Sequence, residues 1–283
     1  MSVFKVLLLI AAGIGAALGM RASKGGGGAG QKVAIGCAVF ALILAVSSLL
    51  TADDYTPKIV KSMGSYSYAS GVVLGRHLAE THQGERALIL TEPVFDGQQP
   101  NEIQRAAVEG LKKGMGSALE VVDVVAVDPP EAYVERARRS WASDGLDPPE
   151  GQTTNSIPSL MRDYNRWYDV NYLAQLLNER AGTYDVLIST VGLPRGFLGS
   201  PLSRHPALPD IALMNAPGQP LKSLLEIGAV DVAVADKPVA NPWKVIQDAP
   251  ADVDEAFDKR YVLVTKDNLA EVAATYPAAP YWR

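Results

Sequence analysis

Apolar residues follow two different patterns along the chain, and the change falls near residue 52. Before it the apolar positions are nearly continuous. Val33 to Ala52 is twenty residues without a charge, and at about 1.5 Å per residue such a helix spans about 30 Å, the thickness of a bilayer core. Val6 to Met20 is shorter, about 22 Å by the same rise, with Lys5 and Arg21 placed at its ends to snorkel toward headgroups. The pattern predicts a transmembrane helical hairpin over residues 1–52, with a Gly-rich loop between its helices. The first run also fits the apolar stretch of a signal peptide cleaved near Ala17 or Gly19. Small residues recur at helical spacing in both runs (Ala11, Gly15, Gly19; Ala34, Ala38, Ala41, Ala45), which suits close helix packing or self-association in lipid.

From residue 53 onward short apolar runs alternate with amphipathic ones. The runs at 87–93 (ALILTEP), 121–127, 186–190 (VLIST), 211–215 (IALMN), 231–235 (DVAVA) and 261–265 (YVLVT) read as buried strands. A helix is predicted over Tyr66 to His82, ended by Gly84. Another follows Asn101, with Gln104 completing a capping box, a stripe of Ile103, Ala106, Ala107, Gly110 and Leu111, and Gly114 as its stop. Further helical patterns lie at 172–180, 221–227 and 269–274. Alternating buried strands and helices predict an α/β fold over 53–283, a doubly wound, mostly parallel sheet of five or six strands, Rossmann-like or flavodoxin-like. Residues 129–170 interrupt the rhythm with a basic helical piece, the loop DPPEGQTTNSIP, and an aromatic cluster of Tyr164, Trp167, Tyr168 and Tyr172. Such an insertion either covers a ligand or packs its aromatics into the core.

Charge sharpens this division. Of 26 basic residues, Lys5, Arg21, Lys24 and Lys32 precede Ala52, while all 31 acidic ones follow it; the later part therefore carries 22 basic against 31 acidic residues, a balance of −9. So acidic a domain lacks the basic footprint that nucleic acid requires. The loop RASKGGGGAGQK has three basic residues and no acid. The positive-inside rule places it in the cytoplasm and the domain on the extracytoplasmic, periplasmic side. Gly25, Gly27 and Gly30 in that loop match a dinucleotide-binding spacing, but they lack the preceding strand that the motif needs. No cofactor is expected. Cys37, the one cysteine, cannot form an intrachain disulfide.

The order of YDVLISTVGLP (184–194) and LLEIGAVDVAVADKP (224–238) resembles one lobe of a type I periplasmic binding protein over about residues 85–275. That resemblance implies an α/β binding fold, although six strands supply one lobe where a clamshell has two. The same stretch is similar to a response-regulator receiver domain through DVLISTVGLP, LPDIALMNA and the segment ending in Lys237 and Pro238. Thr190 stands where that family carries its phosphoacceptor aspartate, and Thr91 with Glu92 replaces its acidic pair. The receiver resemblance therefore implies no phosphorylation.

In open α/β sheets ligands lie beyond the carboxyl ends of the strands, where the strand order reverses. The candidate ligand-binding residues there are Glu92, Asp96, Asp128, Thr190, Arg195, Asn215 and Lys237, with Asp236 beside the last. No G-x-S-x-G elbow and no phosphate loop occurs, so no catalytic residue is assigned. His77 and His82 are five residues apart, on different helix faces, and His205 lies in a loop; no metal site is expected from this spacing. The leading expectation is a membrane-tethered module that binds or senses a small polar ligand. A structural subunit pairing with itself or with a membrane protein comes second, and an unrecognised hydrolase or transferase third.

Overall fold

Residues 87–90, 186–189, 211–214 and 232–235 are buried throughout, and successive side chains of a strand point to opposite faces, so the sheet these runs form must be covered twice. The computed structural model describes residues 55–93, 101–135, 167–214, 219–238 and 249–282. Its elements, numbered in chain order among the described residues, begin with α1 (Tyr55–Thr81), β1 (Arg86–Thr91), α2 (Glu102–Met115) and β2 (Glu120–Ala126). There follow α3 (Val170–Glu179), β3 (Val186–Ser189), β4 (Asp210–Met214), α4 (Leu221–Glu226), β5 (Val232–Asp236), α5 (Val253–Arg260), β6 (Tyr261–Thr265) and α6 (Leu269–Thr275). The six strands form one sheet in the order β2-β1-β3-β4-β5-β6. Only the β5–β6 pair is antiparallel. A mostly parallel, doubly wound sheet is thus the observed architecture.

The alternation divides the core between the two faces. Ala87, Ile89, Val186, Ile188, Ala212, Met214, Val232 and Val234 pack under α1, α2 and α5. Leu88, Leu90, Leu187, Ile211, Leu213, Ala233 and Ala235 pack under α3, α4 and α6. Residues Ile59–Arg283 form one compact unit around this sheet.

On the first face α1 and α2 meet backbone to backbone. A Cβ on Gly75 would lie 2.5 Å from the Leu111 carbonyl oxygen and 2.8 Å from the Met115 nitrogen, and one on Gly114 would lie 2.9 Å from the Arg76 nitrogen. Gly71 would collide with the Ala107 carbonyl, and Gly110 with that of Tyr68. Four glycines, two on each helix at a spacing of four, therefore form the seam. Gly114 lies inside the helix rather than stopping it. Gly116, at φ 57°, is the C-cap and donates its N–H to Lys112.

Other boundaries also differ from the pattern reading. The first helix begins at Tyr55 rather than Tyr66, and buried Ser62 with half-buried Met63 and Gly64 carries its packing face back beyond Tyr66. Asn101 caps α2 through Ile103 N–H, and the buried amide nitrogen of Gln104 has no hydrogen-bond partner. Helix α5 was not predicted; it buries only Ala256 and Phe257, and its cap is Asp252, which accepts from Asp254 and Glu255 N–H. Strand β2 is an edge. Its register skips between Ala87 and Leu88, leaving Val122 unpaired in a bulge, and Val122 and Val124 are each 36% exposed. Among the described residues no helix is long and apolar enough to cross a membrane, and the two apolar runs of residues 1–52 lie outside them.

The seam gives a graded prediction. Gly75→Ala and Gly110→Ala drive a Cβ into immovable backbone and are expected to cost about 2–3 kcal/mol or more. Gly64→Ala meets only the Ala106 Cβ at 3.9 Å, and replacing a helical glycine is expected to be neutral or to stabilise by up to about 1 kcal/mol. Urea unfolding of the three variants measures the contrast, and equal effects at all three positions contradict it.

Candidate functional site

The sheet order fixes where a crevice opens. After β1 the chain moves outward to β2, then returns to place β3 on the other side of β1, so the winding reverses between β1 and β3. At their carboxyl ends the gap is bridged by Thr190. Its N–H donates to the Leu90 carbonyl at 3.0 Å, and its hydroxyl donates to the same oxygen at 2.9 Å. On the other side Val127 N–H donates to the Thr91 carbonyl at 2.9 Å. Asp128, Glu92 and Thr190 therefore follow three neighbouring strands, roughly 4.8 Å apart per strand.

Their surroundings differ. Asp128 is exposed beside Tyr172, whose hydroxyl is pushed up from its ordinary range by burial and by the Asp128 carboxylate. Glu92 is half-buried, directly after β1. Arg195 is exposed, five residues past Thr190. Lys237 turns away from the switch point: its ammonium donates to the Asp258 carbonyl near the end of α5, and its N–H donates to the Arg260 carbonyl at 2.8 Å. Neighbouring Asp236 is paired with Arg260 at 3.1 Å. Asp96 and Asn215 lie outside the described residues.

The turn after β3 is held by residues that spacing alone did not single out as site groups. Gly192 has φ 76°, and its carbonyl accepts from the buried Ser189 hydroxyl at 2.6 Å and from the Tyr168 hydroxyl at 3.4 Å. The Gln219 amide donates to the Leu193 carbonyl at 3.1 Å and would lie 3.3 Å from any Cβ on Gly192. Trp167, Tyr168 and Tyr172 meet edge-on or tilted, with ring centroids 5.8–6.3 Å apart. Trp167 and Tyr168 are buried among the core residues under α3 and α4. They pack the floor beneath the turn. The Gly192 signal was visible in the sequence, but Tyr168 and Gln219 reach the turn from 24 and 26 residues away.

Two cavities open elsewhere. One of about 440 Å³ lies between α1, α2 and α5, lined in part by Lys61, Tyr68 and Arg105. Another, of about 640 Å³, lies near the amino ends of β3 and β4, with Tyr184, His205 and Asp210 in its wall.

No family model matches the chain, and no curated protein matches it either. Solved structures similar to it include the glucose-galactose binding protein GanP and the arabinose binding protein AraP, both from Geobacillus stearothermophilus. Each is 12% identical, at TM-score 0.40, covering 72% of this chain and 61% or 62% of its own. The sugar-binding protein of a sugar ABC transporter from Bacillus halodurans is also similar, 14% identical at TM-score 0.38, covering 71% of this chain and 62% of its own. The chain matches about three fifths of the length of each of these proteins.

The hydroxyl contacts at the turn carry a measurable share of stability. Thr190→Val and Ser189→Ala each remove a side-chain donor to a carbonyl and are expected to cost about 0.5–1.5 kcal/mol with the fold retained. Urea midpoints with an unchanged slope check this, and a changed slope means the fold itself has altered.

Proposed function

We propose that the chain is a membrane-tethered, extracytoplasmic module that binds a small polar ligand at the carboxyl edge of its sheet, without chemistry of its own. The observation that carries this reading is the hydrogen-bonding character of the edge. Asp128 and Glu92 are acceptors at neutral pH. Thr190 has already committed its proton to Leu90, so it offers a ligand only lone pairs. Lys237 is occupied elsewhere. The acceptors call for a ligand that supplies donors, and exposed Arg195, five residues past Thr190, adds a donor of its own: both suit a sugar or a polyol. Tethering rests on the apolar runs of residues 1–52, and the extracytoplasmic side on the basic loop between them.

A second reading, assembly with another copy through the sheet edge, is favoured by β2. That strand is the last in the described sheet order, and its Val122 and Val124 are partly exposed. It differs from the first in requiring no small ligand.

A thermal-shift screen of the purified full-length chain against monosaccharides, polyols, amines and carboxylic acids separates the two. A donor-rich compound at 100 times its dissociation constant adds about 2.7 kcal/mol, and Asp128→Asn or Glu92→Gln is expected to weaken its binding at least about tenfold. Silence from every donor-rich class, or binding that both variants leave intact, removes the proposed site. Membrane topology is tested separately: a reporter fused after Arg283 is expected on the exported side, and activity in the cytoplasm reverses the orientation.

A further inference from the structure

At the opposite end of the sheet, where the strands begin, a histidine and several carboxylates converge from separate elements. Helix α1 ends at Thr81, and His82 continues its backbone pattern by donating to the Leu78 carbonyl at 2.8 Å. The next three residues turn sharply. Gly84, at φ 84°, makes the turn, and Glu85 N–H closes it on the His82 carbonyl at 3.1 Å. Two bonds clamp this turn to the approach to β2: Gly84 N–H to the Ala118 carbonyl at 2.7 Å, and Glu120 N–H to the Glu85 carbonyl at 3.1 Å.

The clamp sets the side chains. Nδ1 of His82 lies 2.9 Å from Glu85 Oε2 and 3.7 Å from Oδ2 of Asp210, the first residue of β4. One ligating atom from each of the three residues lies within 4.8 Å of the other two. Asp231, just before β5, adjoins them. Its Oδ2 accepts from Ile211 N–H at 2.9 Å, and both Asp210 and His82 act on its charge. The nearby Arg86 is spent on Asp185 through two bonds at 2.9 and 3.0 Å. Three carboxylates thus surround one imidazole, and the adjacent guanidinium is committed elsewhere.

We propose that His82, Glu85 and Asp210 form a binding site for a divalent transition ion of the zinc class, with Asp231 or water completing the shell. Bonds of about 2.0–2.2 Å to a tetrahedral ion place its ligand atoms roughly 3.3–3.6 Å apart. The observed 2.9 and 3.7 Å separations straddle that value. The imidazole nitrogen selects against calcium and magnesium, which prefer six or more oxygens. The His82 side chain is only 12% exposed, so its ring is held in place, while Glu85 and Asp210 at 40% and 53% leave a path for the ion and its water. Bound there, the ion would tie the end of α1 to the start of β4, at the end of the sheet remote from the ligand edge. The site does not depend on the small-ligand reading.

The test is a titration of the full-length chain, free of any purification tag, with zinc alone, read by competition with a chromophoric chelator and repeated with cobalt for its visible d–d bands. One equivalent bound tighter than about 100 µM, with cobalt bands of a tetrahedral or five-coordinate site, is expected. His82→Gln, which keeps a polar contact to Glu85, and Asp210→Asn are each expected to weaken binding at least about tenfold, while His205→Ala leaves it unchanged. Binding weaker than about 100 µM, or binding that His82→Gln and Asp210→Asn leave within about twofold, overturns the proposal. The stoichiometry and the cobalt spectrum of the unaltered chain need no variant, and they decide the matter if a variant does not fold.

Discussion

The close contact between α1 and α2 determines how the first face of the sheet is built. Two helices whose side chains interdigitate stand about 8–10 Å apart. The glycines at 71, 75, 110 and 114 remove every Cβ from the seam, so the two backbones touch directly. Two helices packed this tightly cover a narrower strip, and α5 then has room to pack its Ala256 and Phe257 on the same face beside Tyr261. Tyr66 of α1 meets Tyr261 edge-on at 6.4 Å, and Arg260 lies over both rings at 5.4 and 5.1 Å. The seam thus bears on the β6 end of the same face as well, through ring contacts rather than through backbone.

The sheet itself separates two kinds of polar chemistry by its length. A five-residue strand such as β4 is about 17 Å long. Its start carries Asp210 in an anionic cluster, and its end lies toward the switch-point edge. At the starting end, charges are matched by direct pairing. Arg86 forks onto Asp185 and holds that carboxyl below its ordinary range, which ties β1 to β3. At the finishing end of β3, backbone carbonyls collect hydroxyl and amide donors, while Asp236 at the end of β5 pairs with Arg260.

Much of this architecture was legible from hydrophobic period alone, because β3, β4 and β5 are buried on both faces and so read as unbroken apolar runs. Strand β2 reads the same way and is nevertheless an exposed edge. Its composition suits a strand, but position in the strand order is a property of the whole fold and leaves no local mark. Helix α5 escaped notice because two buried residues in eight make no stripe; its Asp252 cap with Glu255 three positions on was the available signal. Gly114 looked like a helix stop because a lone glycine near a helix end usually is one. Only the matching pair on α1 reveals it as half of a seam. Glu92, Asp128 and Thr190 do follow strand ends, whereas Lys237 is drawn to a carbonyl of α5, a helix the pattern had not shown. Histidine spacing along a helix likewise could not find the His82 cluster, since its partners come from a turn and from a strand 128 residues later.

Thr190 shows why the switch point is both open and fixed. Elsewhere in a doubly wound sheet the crossover from one strand to the next covers the gap between them with a helix. Between β1 and β3, which pair directly, the winding reverses, and the ladder runs on past β3 into Thr190. Here a single residue makes two bonds to one carbonyl, the Leu90 oxygen, using its backbone N–H and its hydroxyl. A β-branched residue suits this task because its restricted χ1 holds the hydroxyl on target. Having spent its proton inward, the same hydroxyl turns only lone pairs outward, toward the rim where Glu92 and Asp128 also accept. The bonds that continue the β1–β3 pairing therefore also leave Thr190 only lone pairs on its outer side.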